Sequence, residues 1–267
     1  MKKALALLLA AVLLCGCAPA EQTPETEPTE ATAAPTEETQ APTEEPTEAT
    51  EAPTEEPTEP PFQLHSGIRE DGSFDEGTLF IGDSLTYGMV AIYLPENQFL
   101  GDARYIAMPG ATILAYFQGP MLSSTGYYSY YSPEFEGLYM YEGVEAAGEK
   151  TTAIYFMMGT NYSKYATDET YIQIVEHMLE SCPNATVYIQ LVPNDLSSQI
   201  DHEIANRRVR NAYEYFQQEG NERVLLIDTQ TAIGYHLLGD GIHLNEEGQD
   251  CWYHALLAFA KENQIPQ

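Results

Sequence analysis

The strongest constraint on the fold is a regular alternation of short apolar segments with longer amphipathic ones beyond residue 77. Five apolar, β-branched and aromatic runs are predicted to be strands: 78–81, 103–108, 152–158, 185–192 and 223–228. Apolar residues at helical spacing predict helices over 168–181, near 202–219, and from Glu246 onward. This alternation predicts an α/β fold whose parallel sheet is covered by helices on both faces.

The turn after the first predicted strand carries a serine in a position suited to chemistry. Gly82, Asp83 and Ser84 separate the strand from a helical pattern that Pro95 is expected to stop. Ligands bind at the carboxyl edge of such sheets, and N–H groups at a helix N-terminus stabilise negative charge. The alternative is that Ser84 only caps the helix.

Three more strand ends carry candidate functional residues. Gly110 follows the second predicted strand, Asn161 ends a Gly-Thr-Asn sequence after the third, and Asp240 and His243 follow the fifth. Each has a plain alternative as a turn residue. The remaining histidines have no comparable setting and are interpreted as surface or packing residues: His65, His177, His202, His236 and His254.

The joint order of these motifs resembles the SGNH (GDSL) hydrolase superfamily over about residues 78–260. The resemblance implies a flavodoxin-like, three-layer α/β/α sandwich with five parallel strands. It also implies that Ser84 is the nucleophile, His243 the general base and Asp240 its orienting acid. The oxyanion would be bound by the N–H groups of Ser84 and Gly110 and by the Asn161 amide. Tyr162 departs from the family pattern, which usually has aspartate after the asparagine.

Elementary chemistry agrees with these roles. A serine hydroxyl is a weak nucleophile until a base removes its proton, and an imidazole can do so near neutral pH. Asp240 and His243 are three residues apart, so one turn of chain can bring the carboxylate to a ring nitrogen. No cofactor is expected, and no metal site, because no His/Cys cluster has metal-ligand spacing.

The N-terminus predicts export and lipid anchoring. Lys2 and Lys3 precede an apolar run too short to span a bilayer, which is typical of a signal peptide. The sequence Leu14-Cys15-Gly16-Cys17 resembles the lipobox of bacterial lipoproteins, which places the signal at 1–17 and a diacylated Cys17 at the mature N-terminus. Cys15 fits less well, since Leu14 would occupy the small-residue position. An ordinary secretory signal is the alternative.

Residues 18–61 are a Pro/Thr/Glu-rich segment with no apolar residue larger than alanine. Such a composition cannot bury enough surface to order itself, so we predict a disordered stalk. The stalk is interpreted as a spacer that holds the domain 62–267 away from the membrane. The alternative is a linker whose length has no functional importance.

The formal net charge of −30 bears on possible partners. The domain stays strongly acidic after the thirteen glutamates of the stalk are set aside. Nucleic acid and direct docking on anionic lipid are therefore not expected, and the membrane is reached only through the lipid anchor.

Two further features were interpreted from the sequence. Cys182 and Cys251 are expected at opposite ends of the sheet, which favours free buried thiols over a disulfide. The segment 116–150 is rich in tyrosine, which suits contact with sugar rings or simple packing on the sheet.

Together these features predict a serine esterase on the outer face of a bacterial membrane that removes acyl groups, foremost acetyl, from a glycan. The resemblance also allows a lysophospholipase, thioesterase or acyltransferase. A glycan-binding module without catalysis is the alternative from another class.

Overall fold

A computed structural model describes residues 62–118, 130–194 and 199–266. The predictions for the signal peptide, Cys17 and the stalk lie outside the described residues, as do Tyr127 and Tyr128. They remain predictions.

The described chain alternates strands and helices as the sequence predicts. The strands are β1 (Thr78–Gly82), β2 (Arg104–Ala107), β3 (Tyr130–Tyr131), β4 (Ala153–Met157), β5 (Thr186–Gln190) and β6 (Val224–Ile227). The helices are α1 (Ser84–Gly88), α2 (Leu94–Glu96), α3 (Met140–Ala147), α4 (Asp168–Ser181), α5 (Gln199–Gln218), α6 (Thr229–Ile233) and α7 (Glu246–Glu262). A π-helical segment, Met89–Tyr93, joins α1 to α2.

The strands form one sheet in the order β3-β2-β1-β4-β5-β6. All five predicted strands are present and pair in parallel, whereas the two-residue β3 adds an antiparallel edge that the sequence did not indicate. Counted among the parallel strands alone, the order is second, first, third, fourth, fifth, as in flavodoxin-like folds. The order reverses between β1 and β4, so a crevice is expected at their carboxyl ends.

Helices cover both faces of the sheet, which confirms the three-layer prediction. On one face, Ile81, Ile154 and Val187 belong to a buried cluster with apolar residues of α3, α4 and α5. On the other face, Phe80 and Tyr155 pack in a second cluster with α1, the π-helical segment and α7. Successive residues of a strand point to opposite faces, so these buried strands are mainly apolar, with the polar residues Thr78, Thr186 and Gln190 at their ends.

An aromatic row crosses the sheet on the α7 face. The rings of Phe80, Tyr155 and Tyr188, from β1, β4 and β5, stack with centroids 5.2 and 4.7 Å apart. The Tyr155 hydroxyl donates to the carbonyl of Ser66 at 2.7 Å, and that of Tyr188 to the carbonyl of His65 at 2.6 Å. These two bonds hold the segment before β1 to the interior strands β4 and β5.

Two helix ends differ from prediction. The helical run that begins at Ser84 passes through the π-helical segment into α2 and ends at Glu96, one residue beyond Pro95. Helix α5 begins at Gln199, three residues before the predicted start. By contrast, α4 spans 168–181 as predicted, because the Thr167 hydroxyl accepts the N–H of Thr170.

Smaller features can also be compared. Before β1, Ile68 and Phe74 form a single antiparallel bridge. Within the described residues, Cys182 and Cys251 are both free thiols, although Cys251 is only half-buried. A search of the described helices for one long and apolar enough to cross a membrane found none.

Candidate active site

The turn after β1 leaves Ser84 free of a capping role. Asp83 is the N-cap of α1, and its Oδ1 accepts the backbone N–H of Leu85 at 3.1 Å. Ser84 is therefore the first residue of the helix, half-buried at the carboxyl end of the sheet. The alternative interpretation of Ser84 as the helix cap is wrong.

Asp83 also reaches across the sheet. Its side chain is fully buried, and its Oδ2 accepts the backbone N–H of Thr160 at 3.3 Å. Burial raises the pKa of this carboxyl, and the hydrogen bonds from Leu85 and Thr160 oppose that shift. The carboxyl thus ties the turn after β1 to the loop after β4.

The loops after β2 and β4, which carry the predicted oxyanion residues Gly110 and Asn161, contact each other. Asn161 pairs with Thr112 in a parallel bridge, and its Nδ2 donates to the carbonyl of Ala111 at 3.0 Å. An amide nitrogen has two hydrogens, so the second is available to a ligand. Gly110, next in the chain, has φ of +77°, a conformation that favours glycine.

Asp240 and His243 form a hydrogen-bonded pair. His243 Nδ1 and Asp240 Oδ2 are 2.8 Å apart, which leaves Nε2 as the ring nitrogen able to take a proton from a substrate or a hydroxyl. Asp240 Oδ1 also accepts the backbone N–H groups of Ile242 and His243 at 2.9 and 3.0 Å. These bonds lower the pKa of Asp240 to about 2, so it is ionised at neutral pH.

One cavity of about 470 Å³ joins Ser84 to His243. Its walls are mainly apolar, with Tyr87, Ile92 and Leu238 among them, and Gln249 of α7 also lines it. Gly110 and Asn161, which the structure also describes, lie outside this lining. The cavity therefore extends from Ser84 on the side of His243, with Pro109 in its wall.

The tyrosine-rich segment packs away from this cavity where it is described. Tyr116 is fully buried with its hydroxyl 2.9 Å from His177 Nδ1. Tyr130 stacks on Tyr105 and meets the edge of Tyr87, with ring centroids 4.9 and 5.1 Å away. Tyr130 contacts the cavity-lining Tyr87, whereas Tyr116 and Tyr141 pack against His177, so the packing interpretation is favoured.

Several residues of the site were not found from sequence. The order of the motifs assigns no role to Asp83 or to Gln249. The signal for Gln249 is its position on the apolar face of α7, together with Trp252 and Leu256. His202 was interpreted as a packing or surface residue; it is buried, and its Nε2 lies 3.2 Å from the carbonyl of Thr160, beside Asn161.

A metal centre has no candidate ligand set in 62–118, 130–194 and 199–266, since no group of three or more His, Cys, Asp or Glu side chains there could hold an ion.

Fold and site together define a doubly wound α/β protein with a serine, a histidine–aspartate pair and an asparagine at the carboxyl edge of its sheet. No family model and no curated protein matches the sequence.

Solved structures with a similar fold are esterases and lipolytic proteins of the GDSL type. A family two carbohydrate esterase from Clostridium thermocellum, in complex with cellohexaose, shares 16% identity over 70% of this chain, with a TM-score of 0.49. This chain spans 64% of that protein's length.

Two others are matched over nearly their whole length. A carbohydrate esterase of family 3 from Talaromyces cellulolyticus shares 16% identity over 69% of this chain and 98% of its own, with a TM-score of 0.47. A member of the lipolytic protein G-D-S-L family from Veillonella parvula shares 15% sequence identity with this chain. The match covers 68% of this chain and 96% of that protein, with a TM-score of 0.46.

Proposed function

We propose that this chain is an extracellular serine esterase of the SGNH type, which removes acyl groups, foremost acetyl, from a glycan. The observation that carries the proposal is the hydrogen-bonded pair of Asp240 and His243, whose ring lines the same cavity as Ser84. A hydroxyl, an imidazole and an ionised carboxylate at one sheet edge are the parts that acyl transfer needs.

In the proposed reaction His243 Nε2 takes the proton of the Ser84 hydroxyl as the oxygen attacks the ester carbonyl. Asp240 holds the ring through Nδ1 and stabilises the imidazolium that forms. The carbonyl oxygen becomes an oxyanion, which the N–H groups of Ser84 and Gly110 and the second amide hydrogen of Asn161 would bind. One such donor typically lowers the barrier by about 2.7–4 kcal/mol.

Collapse of this intermediate breaks the ester C–O bond, and His243 passes its proton to the leaving alcohol. The acyl group then stays on the Ser84 oxygen. Water, deprotonated by the same imidazole, attacks the acyl-enzyme and releases the carboxylic acid. Every proton that His243 accepts is returned, so the cycle needs no cofactor.

The glycan and the location are supported by the sequence. The acidic domain favours a neutral substrate over nucleic acid or anionic lipid, and a lipobox followed by a long stalk suits work on a polymer outside the membrane. We propose that Cys17 carries the lipid. Cys17→Ala is expected to release the protein into the medium, and continued membrane association of that variant would contradict lipidation.

The esterase proposal is tested with p-nitrophenyl acetate, butyrate and octanoate. The wild type should hydrolyse the acetate best, and Ser84→Ala and His243→Ala should lose nearly all activity while their circular dichroism is unchanged. His254→Ala is the matched control, because His254 is half-exposed on α7 and near Asp250. Absence of hydrolysis by a folded wild type, or full activity in Ser84→Ala, would contradict the proposal.

A further inference from the structure

The cavity beside Ser84 lies where the alcohol part of an ester would sit, if the proposed function holds. His243 must hand its proton to the leaving oxygen, so the alcohol lies on the histidine side of Ser84. The cavity is on that side, because His243 lines it while Gly110 and Asn161 do not. The carbonyl oxygen would point toward those two residues, which lie outside the cavity lining.

The size and lining of the cavity suit a sugar ring. A volume of about 470 Å³ falls within the range of roughly 300–1,000 Å³ that holds small organic ligands. Tyr87, Ile92 and Leu238 offer apolar surface to the C–H faces of a ring. Glu96 and Glu246 also contribute to the lining, and their carboxylates can accept hydrogen bonds from hydroxyls.

Gln249 provides the observation that separates a sugar from an apolar chain. Its side chain lines the cavity and is only 8% exposed, yet its Oε1 has no hydrogen-bond partner among the described residues. A buried polar atom without a partner destabilises a folded protein and calls for an explanation. An alkyl chain would leave this amide unpaired, whereas a hydroxyl can satisfy it.

The neighbouring helix leaves room for this amide. A Cβ atom on Gly88 of α1 would lie 2.7 Å from Gln249 Nε2, so any larger residue at 88 would displace the side chain. The last torsion of a glutamine side chain is broad, and a small rotation turns the oxygen toward a ligand.

We infer that this cavity binds the sugar ring of the leaving alcohol, and that Gln249 hydrogen-bonds one of its hydroxyls. The substrate class is then an O-acetylated neutral saccharide, recognised through its alcohol.

The test compares two acetyl esters whose alcohols differ, with the purified full-length protein. The kcat/KM value of each ester reports its acylation step. In 6-O-acetylglucose the leaving alcohol is a sugar, whereas in p-nitrophenyl acetate the leaving group has no further hydroxyl for Gln249 to bind. In Gln249→Leu the ratio of the two values should fall at least tenfold. The melting temperature should not fall, because the substitution removes an unpaired polar group. Gln218→Leu, an exposed position at the end of α5, should leave the ratio within twofold.

An unchanged ratio in Gln249→Leu would overturn the inference, as would a wild type that hydrolyses p-nitrophenyl acetate but not 6-O-acetylglucose. A rise in the octanoate rate of Gln249→Leu relative to acetate would place the acyl chain in the cavity and also overturn it. Gln249→Met is the second variant if the leucine protein does not fold. If wild type hydrolyses neither ester, the proposed function itself fails, which separates the two outcomes.

Discussion

Asp83 Oδ2 accepts the backbone N–H of Thr160 at 3.3 Å, although 77 residues separate them in the chain. Asp83 precedes Ser84, and Thr160 precedes Asn161. The buried side chain of Asp83 therefore fixes the position of the candidate nucleophile relative to that of the candidate oxyanion donor. The bond lies where the strand order reverses between β1 and β4. A parallel sheet brings these two loops together whatever their separation in sequence.

Replacing Asp83 by alanine should destabilise the domain. The substitution leaves the N–H groups of Leu85 and Thr160 without their acceptor, so we expect the free energy of unfolding to fall by about 1–3 kcal/mol in urea titrations. Asp102→Ala is the control, because Asp102 forms an ion pair with Arg69 on the exposed surface, where such pairs contribute little to stability. Equal losses in the two variants would contradict the structural role of Asp83.

Gly82→Ala should disturb the strand that carries the turn. A Cβ atom there would collide with the Thr86 hydroxyl and with the carbonyl oxygen of Met157 in β4, and the backbone of a central strand cannot move aside. Overpacking of this kind destabilises by about 1–3 kcal/mol or more, which thermal melting followed by circular dichroism would detect. Gly239→Ala, with no atom within 4 Å of the new Cβ, should melt near the wild type. If Gly82→Ala has the same melting temperature as Gly239→Ala, the close approach is tolerated and this prediction is wrong.

The bond between Asp240 and His243 should have a pH signature. The folded pKa of Asp240 is lowered from 3.8 to about 2, so its stabilising effect is present above the unfolded value and disappears as pH falls toward 2. We expect the melting temperature of wild type to exceed that of Asp240→Asn at pH 5–7, and the difference to vanish near pH 2. The difference should be small, since both side chains are about half exposed.

A constant difference between the two proteins from pH 7 to pH 2 would contradict this account. The Asn variant should also lose most esterase activity at every pH, because an amide does not stabilise the imidazolium as a carboxylate does. Asp228→Asn serves as the matched control, because Asp228 caps α6 outside the cavity lining.

The two thiols of the domain should react at different rates. Burial raises the pKa of Cys182 and of Cys251, which slows alkylation of both, and Cys182 is also enclosed by the core. With iodoacetamide at pH 7.5, peptide mapping by mass spectrometry should show slow labelling of Cys251 and labelling of Cys182 only after denaturation. Recovery of a peptide that links the two residues by a disulfide would contradict the structure.

The sequence was most informative where local patterns decide the outcome. Thr167 and Asn245 precede amphipathic runs, and α4 and α7 begin directly after them, because a side-chain acceptor there caps the first turn. The parallel strands were found for a similar reason, since strands buried on both faces have to be mainly apolar. The two-residue β3 and the π-helical segment have no such local signature; β3 pairs with β2, and the π-helical segment contacts α7.

The residues of the candidate site also fall into those that the sequence predicts and those that only tertiary contacts identify. Ser84, Gly110, Asn161, Asp240 and His243 were predicted from motif order, and the structure brings Asp240 to His243 and Asn161 to the carbonyl of Ala111. Their catalytic roles stay predictions. Gln249 could not have been assigned, because its importance rests on a missing partner and on the space left by Gly88, both set by the contact of α7 with α1.

By itself, the sequence determined the alternation of strands and helices, the acidity of the domain and the residue types that end each strand. These follow from short-range periodicity and composition, which any stretch of chain carries within itself. Only the tertiary structure decided which of those strand ends share an edge, that Asp83 rather than Ser84 caps the first helix, and that the cavity opens on the His243 side. Those facts depend on contacts between residues far apart in the chain, where burial removes water and leaves each polar group to find a partner or remain without one.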